Sequence, residues 1–215
     1  MSLTLYLHPL ASYCHKVLIA LYENATPFQP RVIDLGNAES RAELLAVWPI
    51  GKFPVLRDEA RERTVPESST IIEYLAQYYA GPIELVPGDA DSARQTRLRD
   101  RFFDLHVSEP MQKIVGDRLR PADSHDPFGV ERAREHLRTA CELIDDDMKT
   151  RTWAMGEAFT MADCAAAPAL FYADEVQPLA KGWPNAKAYL DRLTQRASYA
   201  RVLAEAGPYF HLFPQ

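Results

Sequence analysis

Basic charge is what this sequence most lacks. Lysine and arginine number 24 against 30 aspartates and glutamates, so the net charge is −6 at pH 7. No basic run offsets the deficit, which argues against nucleic acid and anionic membrane surfaces as partners. No stretch of about 18 apolar residues exists, so no transmembrane helix is expected. The opening Met1-Ser2-Leu3-Thr4-Leu5-Tyr6 lacks a basic leader region and is already strand-like, so no signal peptide is expected. Cysteine is scarce. Cys14, Cys141 and Cys164 are odd in number, widely spaced and without metal-ligand spacing. A reducing, cytoplasmic compartment fits them, and no bound metal is expected. Internal repeats and low-complexity segments are missing too. What is present is an ordinary globular composition, 47% hydrophobic and 25% charged. At 215 residues it suffices for one large domain or two small ones.

The first third alternates strand and helix signals. Leu3-Thr4-Leu5-Tyr6-Leu7 reads as a strand. Ser12 can cap a helix through Tyr22, with Val17, Leu18, Leu21 and Tyr22 as its stripe, and Asn24 closes it before Thr26-Pro27. A strand over 30–35, a short helix over 39–48, a strand over 54–56 and another at Thr64-Val65 follow. Ser68 or Ser69 then caps a helix carrying Ile71, Ile72, Leu75, Tyr78 and Tyr79. The order is β-α-β-α-β-β-α, a small sheet covered by helices.

Two stretches in this region carry ligand-binding chemistry. Phe53-Pro54 opens an apolar strand, and proline belongs there because it cannot donate to a ladder. X-Pro is also the one place where a cis peptide is easily reached. A cis bond would turn the Phe53 backbone outward, free to pair with an extended ligand. Pro66-Glu67-Ser68-Ser69 runs into a helix whose first turn offers free N–H groups and a positive dipole end to a carboxylate. Glu67 beside them can pair with an ammonium. One small molecule carrying both groups on one carbon would satisfy the site.

Strand signals vanish beyond residue 91. Ala80-Gly81-Pro82 ends the last helix of the first part, and 81–91, with Pro87-Gly88, reads as a linker. Domains are therefore expected at 1–80 and 92–215. A long helix starts at Asp91 and reaches Leu119, kinked at Pro110. A second spans 129–149, with Cys141 on its apolar stripe; the acidic run Asp145-Asp146-Asp147 near its end reads as a solvated face. Thr160-Met161-Ala162-Asp163 is a capping-box variant before an alanine-rich helix that suits the centre of the domain. Further helices follow Trp183-Pro184 and Ser198, and Gly207-Pro208 precedes an apolar tail.

Four features taken together resemble the cytosolic-type glutathione S-transferase family, in its bacterial-like form with serine or cysteine near the active site. They are Ser12-x-Cys14-x-Lys16-Val17, Pro49-x-Gly51-Lys52-Phe53-Pro54-Val55-Leu56, Glu67-Ser68 and Ile71-x-Glu73-Tyr74-Leu75. The resemblance implies an α/β thioredoxin-like N-terminal domain and an all-α helical C-terminal domain. It implies glutathione as co-substrate, no covalently bound cofactor, and a homodimer. Phe53, before Pro54, would pair its backbone with the cysteinyl part of glutathione. Glu67 and Ser68 would hold the γ-glutamyl end, with Lys52 near the glycine carboxylate. Phe103, His106, Val107, Met111 and Phe210 would wall the site of a hydrophobic electrophile. Arg94, Arg97, Arg101 and Asp104 could face a second subunit.

The group that activates the thiol is less well marked. A hydroxyl beside a helix N-terminus favours the thiolate by stabilising the anion. The position where serine classes carry it is occupied here by Ala11, which can donate nothing. Ser12 is the nearest hydroxyl, although it also suits the helix cap. Tyr6 and Cys14 are the alternatives, with His8 and His15 near enough in sequence to tune the site. Three activities stay open: conjugation of glutathione to an electrophilic carbon, thiol–disulfide or dehalogenation chemistry through Cys14, and a glutathione-binding module with little turnover.

Overall fold

The computed structural model describes residues 2–214. Its first strand, β1 (Leu3–Leu7), buries Leu3, Leu5 and Leu7 and leaves Thr4 and Tyr6 half-buried, as a period of two requires. Helix α1 (Ser12–Glu23) carries the chain over to β2 (Gln29–Val32), which pairs parallel to β1. Helix α2 (Ala38–Val47) leads to β3 (Val55–Asp58), which runs antiparallel to β1, and β4 (Arg63–Pro66) closes the hairpin. The strand order is β2-β1-β3-β4. Helix α3 (Ser68–Tyr78) follows. β2 ends at Val32, short of residue 35, because Asp34 folds back to accept from the Gly36 N–H at 2.8 Å.

The chain leaves this sheet along a clamped path. Asn24, at the end of α1, donates to Ile83 O (3.1 Å) and accepts from Ile83 N (2.8 Å). Gly81 passes so close that a Cβ there would lie 2.4 Å from Asn24 Cβ. Gly81→Ala is therefore expected to lose about 1–3 kcal/mol of stability in urea unfolding. Gly182→Ala, where a Cβ meets nothing within 4 Å, is expected to be near neutral in the same measurement.

The remainder is helical: α4 (Ala90–Phe102), α5 (Glu109–Arg118), α6 (Pro127–Met148), α7 (Met161–Val176), α8 (Pro184–Gln195) and α9 (Ala197–Ala206). The long helix expected over 91–119 is interrupted by a π-helical turn, Phe103–Ser108, and not by a kink at Pro110 itself. The Glu109 N–H bonds back five residues, to Asp104 O. Pro110 supplies no N–H, and its ring crowds the carbonyl four residues earlier. Widening the preceding turn accommodates both defects.

Helix α7 is buried on nearly every side, and its alanines at 162, 165, 166, 167 and 169 let α1 and α4 approach closely. It starts with a full capping box. Thr160 caps the first turn, while Asp163, fully buried, accepts from the N–H groups of Thr160 and Ala154, both at 2.8 Å, and from Tyr189 OH at 2.6 Å. The acidic run on α6 is not a plain solvated face. Asp145 accepts from Asn185 N (2.7 Å), Asn185 Nδ2 (3.0 Å) and Ala186 N (3.0 Å), capping α8. Asp146 pairs with Lys149, and Asp147 with Arg99 and Arg151. Cys141 and Cys164 are core thiols. Among the described residues no helix is long and apolar enough to cross a membrane, and no group of three or more potential ligands could hold a metal.

Candidate functional site

Two helix N-termini define the site. At α3, the cap position is held by Glu67 at φ 70° with no side-chain cap, so neither Ser68 nor Ser69 caps the helix. A non-glycine residue in that region is strained, and such residues cluster at ligand-binding positions. Opposite, Gly51 takes a φ of 68°, a region open to glycine, and leads into Lys52 and the cis Phe53–Pro54 peptide. Lys52, Phe53, Pro54, Glu67 and Ser68 all line one cleft of about 270 Å³. The sequence pointed to all five. It did not point to Tyr13, Trp48, Arg101 and Glu109, which share that lining.

A second, more open cleft of about 490 Å³ adjoins it. Tyr13 and Phe53 line both. The larger cleft is walled by Leu10, Met111, Val115, Leu119, Tyr172 and the tail residues Leu212 to Pro214, with Ser12 and Gln112 among its few polar side chains and no charged one. The tail is tied down by Arg118, which donates to Pro214 O at 2.9 Å, and by Phe213 stacked on Tyr172.

Of the five residues expected to wall an electrophile site, only Met111 lines this cleft. Phe103 and Val107 are 3% and 0% exposed in the core. His106 hydrogen-bonds His136 across to α6, at 2.9 Å. Phe210 packs on Phe171 beside a different, smaller hollow. Phe103, His106 and Val107 all lie in the π-helical turn, which packs on α7 and α6, and the tail brings Leu212 and Phe213 where Phe210 was expected.

Below the smaller cleft lies a buried ionic cluster. Lys16 Nζ sits 2.7 Å from Asp100 Oδ1, 2.8 Å from Asp104 Oδ2 and 2.8 Å from Ser69 Oγ, and Ser69 donates in turn to Asp100 Oδ2 at 2.7 Å. Lys16 is 1% exposed and Asp100 fully buried. Burial pushes the Asp104 carboxyl above its usual range in spite of the Lys16 ammonium. Asp104 and Ser69 also form part of the cleft wall. Asp104 is therefore turned inward to Lys16, not outward to a second subunit, and Arg97 is engaged by Glu73.

The candidate activating groups separate clearly. Ser12 is the first residue of α1 and does not cap it. Ala11 holds the cap position with no side-chain acceptor, so the first turn faces the junction of the two clefts. Ser12 lines the larger cleft. Cys14 is fully buried, lines neither cleft, and is pushed up to about 12 by that burial, which leaves a protonated and inert thiol. Tyr6 packs on the other side of the sheet with Ile33, Leu44 and Val55. His15 is buried against Pro9 O (2.5 Å), and burial holds it down at about 4, so it stays neutral. His8 stacks on Phe53, with ring centroids 6.0 Å apart. Tyr13 is a further hydroxyl at the junction. Burial and the nearby Asp104 and Glu109 raise it to about 12, so its phenol keeps its proton. Its place beside Ser12, in the same first turn, is the one signal in the sequence that could have marked it.

Comparison with known proteins matches residues 5–83 to the glutathione S-transferase N-terminal domain and residues 127–192 to the glutathione S-transferase C-terminal domain. FtsZ-localized protein A of Caulobacter vibrioides is 29% identical over 216 residues, covering 95% of this chain and 92% of that protein. A stringent starvation protein A homolog of Histophilus somni is 25% identical over 209 residues, covering 96% of this chain and 92% of that protein. Among solved structures, a glutathione S-transferase from Methylobacterium radiotolerans in complex with glutathione sulfonate is 26% identical, with a TM-score of 0.79 over 93% of each chain.

Proposed function

This chain belongs to the glutathione S-transferase family, and on that premise we propose that it binds glutathione in the smaller cleft and conjugates it to an apolar electrophile held in the larger one. The observation that carries the proposal is the meeting of the two clefts at Tyr13 and Phe53, beside the open first turn of α1. Glu67 takes the γ-glutamyl ammonium, and Ser68 with the first turn of α3 takes its carboxylate. The Phe53 backbone pairs with the cysteinyl unit, and Lys52 reaches the glycine carboxylate. Those contacts deliver the sulfur to the junction. There the α1 dipole and a hydroxyl, assigned to Ser12, favour the thiolate. The thiol proton leaves to solvent. The sulfur lone pair then forms a C–S bond, while a leaving group departs with its electron pair or a conjugated double bond takes up the charge and a proton. The uncharged walls of the larger cleft suit an uncharged acceptor. The proposal includes a cytoplasmic homodimer.

A second reading, a glutathione-binding module with little turnover, draws on Ala11 and on the two relatives, whose names denote a localised protein and a starvation protein instead of a transferase. Thiol–disulfide or dehalogenation chemistry through Cys14 has less behind it, because that thiol is buried and protonated.

Thiolate absorbance of bound glutathione against pH separates these readings. Conjugation expects a thiol whose acidity the wild type raises, which Ser12→Ala reduces about 10-fold and Cys14→Ala leaves unmoved. A wild type that binds glutathione without lowering its thiol pKa sinks the transferase mechanism and leaves the binding module. Loss of activity confined to Cys14→Ala would restore the redox reading.

A further inference from the structure

Gln112, on α5, reaches across from the helical part of the chain to the first residue of α1. Its Nε2 donates to Ser12 Oγ at 3.5 Å. Both side chains line the larger cleft. A serine hydroxyl has one proton and two lone pairs, and its partners decide where the proton points. At the start of a helix the usual outcome is capping, in which the oxygen accepts from a backbone N–H. Ser12 is one residue too late for that, since Ala11 occupies the cap. Its neighbours in the cleft, Leu10, Met111 and Val115, are apolar side chains. Tyr172 does not compete, because its hydroxyl donates to Leu10 O at 2.9 Å.

Resting on the assignment of Ser12 as thiol-activating hydroxyl, we propose that Gln112 is a positioning residue: its carboxamide occupies a lone pair of Ser12 Oγ, so that the serine proton is presented to the glutathione sulfur. A donor on one side of a hydroxyl also polarises its O–H on the other. The effect is exerted through Ser12; Gln112 itself touches no reacting atom. It further couples the thiol-activating end of α1 to α5, which walls the acceptor cleft.

The test is a double-mutant cycle read by thiolate absorbance of bound glutathione. Gln112 is on the exposed side of α5, so Gln112→Leu and Gln112→Glu leave the core untouched. Gln112→Leu is expected to reduce the thiolate fraction near neutral pH about 3- to 10-fold, as for loss of one hydrogen bond, with glutathione affinity unchanged. In a Ser12→Ala background the same change is expected to do nothing further. Gln112→Glu replaces a donor with an acceptor that draws the serine proton away, so it is expected to be worse than Gln112→Leu. A purely structural role would show instead as a lowered melting temperature with the thiol pKa unmoved, and that overturns the proposal. So does a Gln112→Glu variant as active toward the thiol as wild type. Should Ser12→Ala raise the thiol pKa while Gln112→Leu does not, Gln112 loses its role and Ser12 keeps its own. Should Ser12→Ala have no effect, the underlying assignment has failed, and the Gln112 proposal falls with it.

Discussion

Lys16→Met should destabilise the fold by about 3–5 kcal/mol, the range for removing one partner of a buried ion pair. The magnitude follows from what is left behind. Asp100 is fully buried and Asp104 nearly so, and both point at the ammonium. Without it they repel each other in a medium that solvates neither. The loss should depend on pH in a definite direction. The folded state already holds the Asp104 proton more tightly than the unfolded chain does, and deleting the cation strengthens that preference. A group with a raised folded pKa contributes stability that is complete below its unfolded value and declines as pH rises through the folded one. Lys16→Met should accordingly be least harmful in mild acid and most harmful above neutrality. Urea unfolding at pH 5 and pH 8 checks this, and a loss that is equal at both would refute the account. Because Ser69 and Asp104 also wall the smaller cleft, glutathione affinity should fall with stability.

Asp163→Ala should have an effect of similar size, about 3–5 kcal/mol, by another route. The carboxylate collects four donors: the Thr160 and Ala154 N–H groups, Thr160 Oγ1 and Tyr189 OH. Alanine would orphan them in the core while uncapping α7, on which α1 and α4 rest. Thermal unfolding should show a large drop in melting temperature. A Tyr189→Phe variant, which removes one donor together with its need, should lose far less. If the two variants prove equally unstable, the cost lies in the Tyr189 contact alone and the capping argument is wrong.

The smaller cleft was legible in the sequence because its parts are local. A proline opening a strand, a glutamate before two serines and a helix start each declare themselves within a few residues. The order of strands and helices along the first part of the chain followed for the same reason, from alternation in Leu3–Leu7 and the turns between strands. What escaped was long-range or depended on exact backbone phase. Nothing local links Lys16 to Asp100 and Asp104; the only hints were a lysine on an apolar helix and two aspartates four residues apart. Ser12 read as a cap when the helix began one residue sooner, and Glu67 took the cap place read for its neighbours. The expected walls Phe103 and Val107 came from the resemblance, which carries no sign that the helix widens over Phe103–Ser108 and sends both side chains into the core.

That widening has a consequence for how such a fold can diversify. One residue gained or lost within Phe103–Ser108 would rotate every side chain of α5 by about 100°. Met111, Gln112 and Val115 would leave the cleft together, and another stripe of the same helix would take their place. Descendants of one ancestor could thus come to differ in the larger cleft without a substitution in α5, while Lys52, Phe53, Pro54, Glu67 and Ser68, all upstream of the turn, stayed as they were.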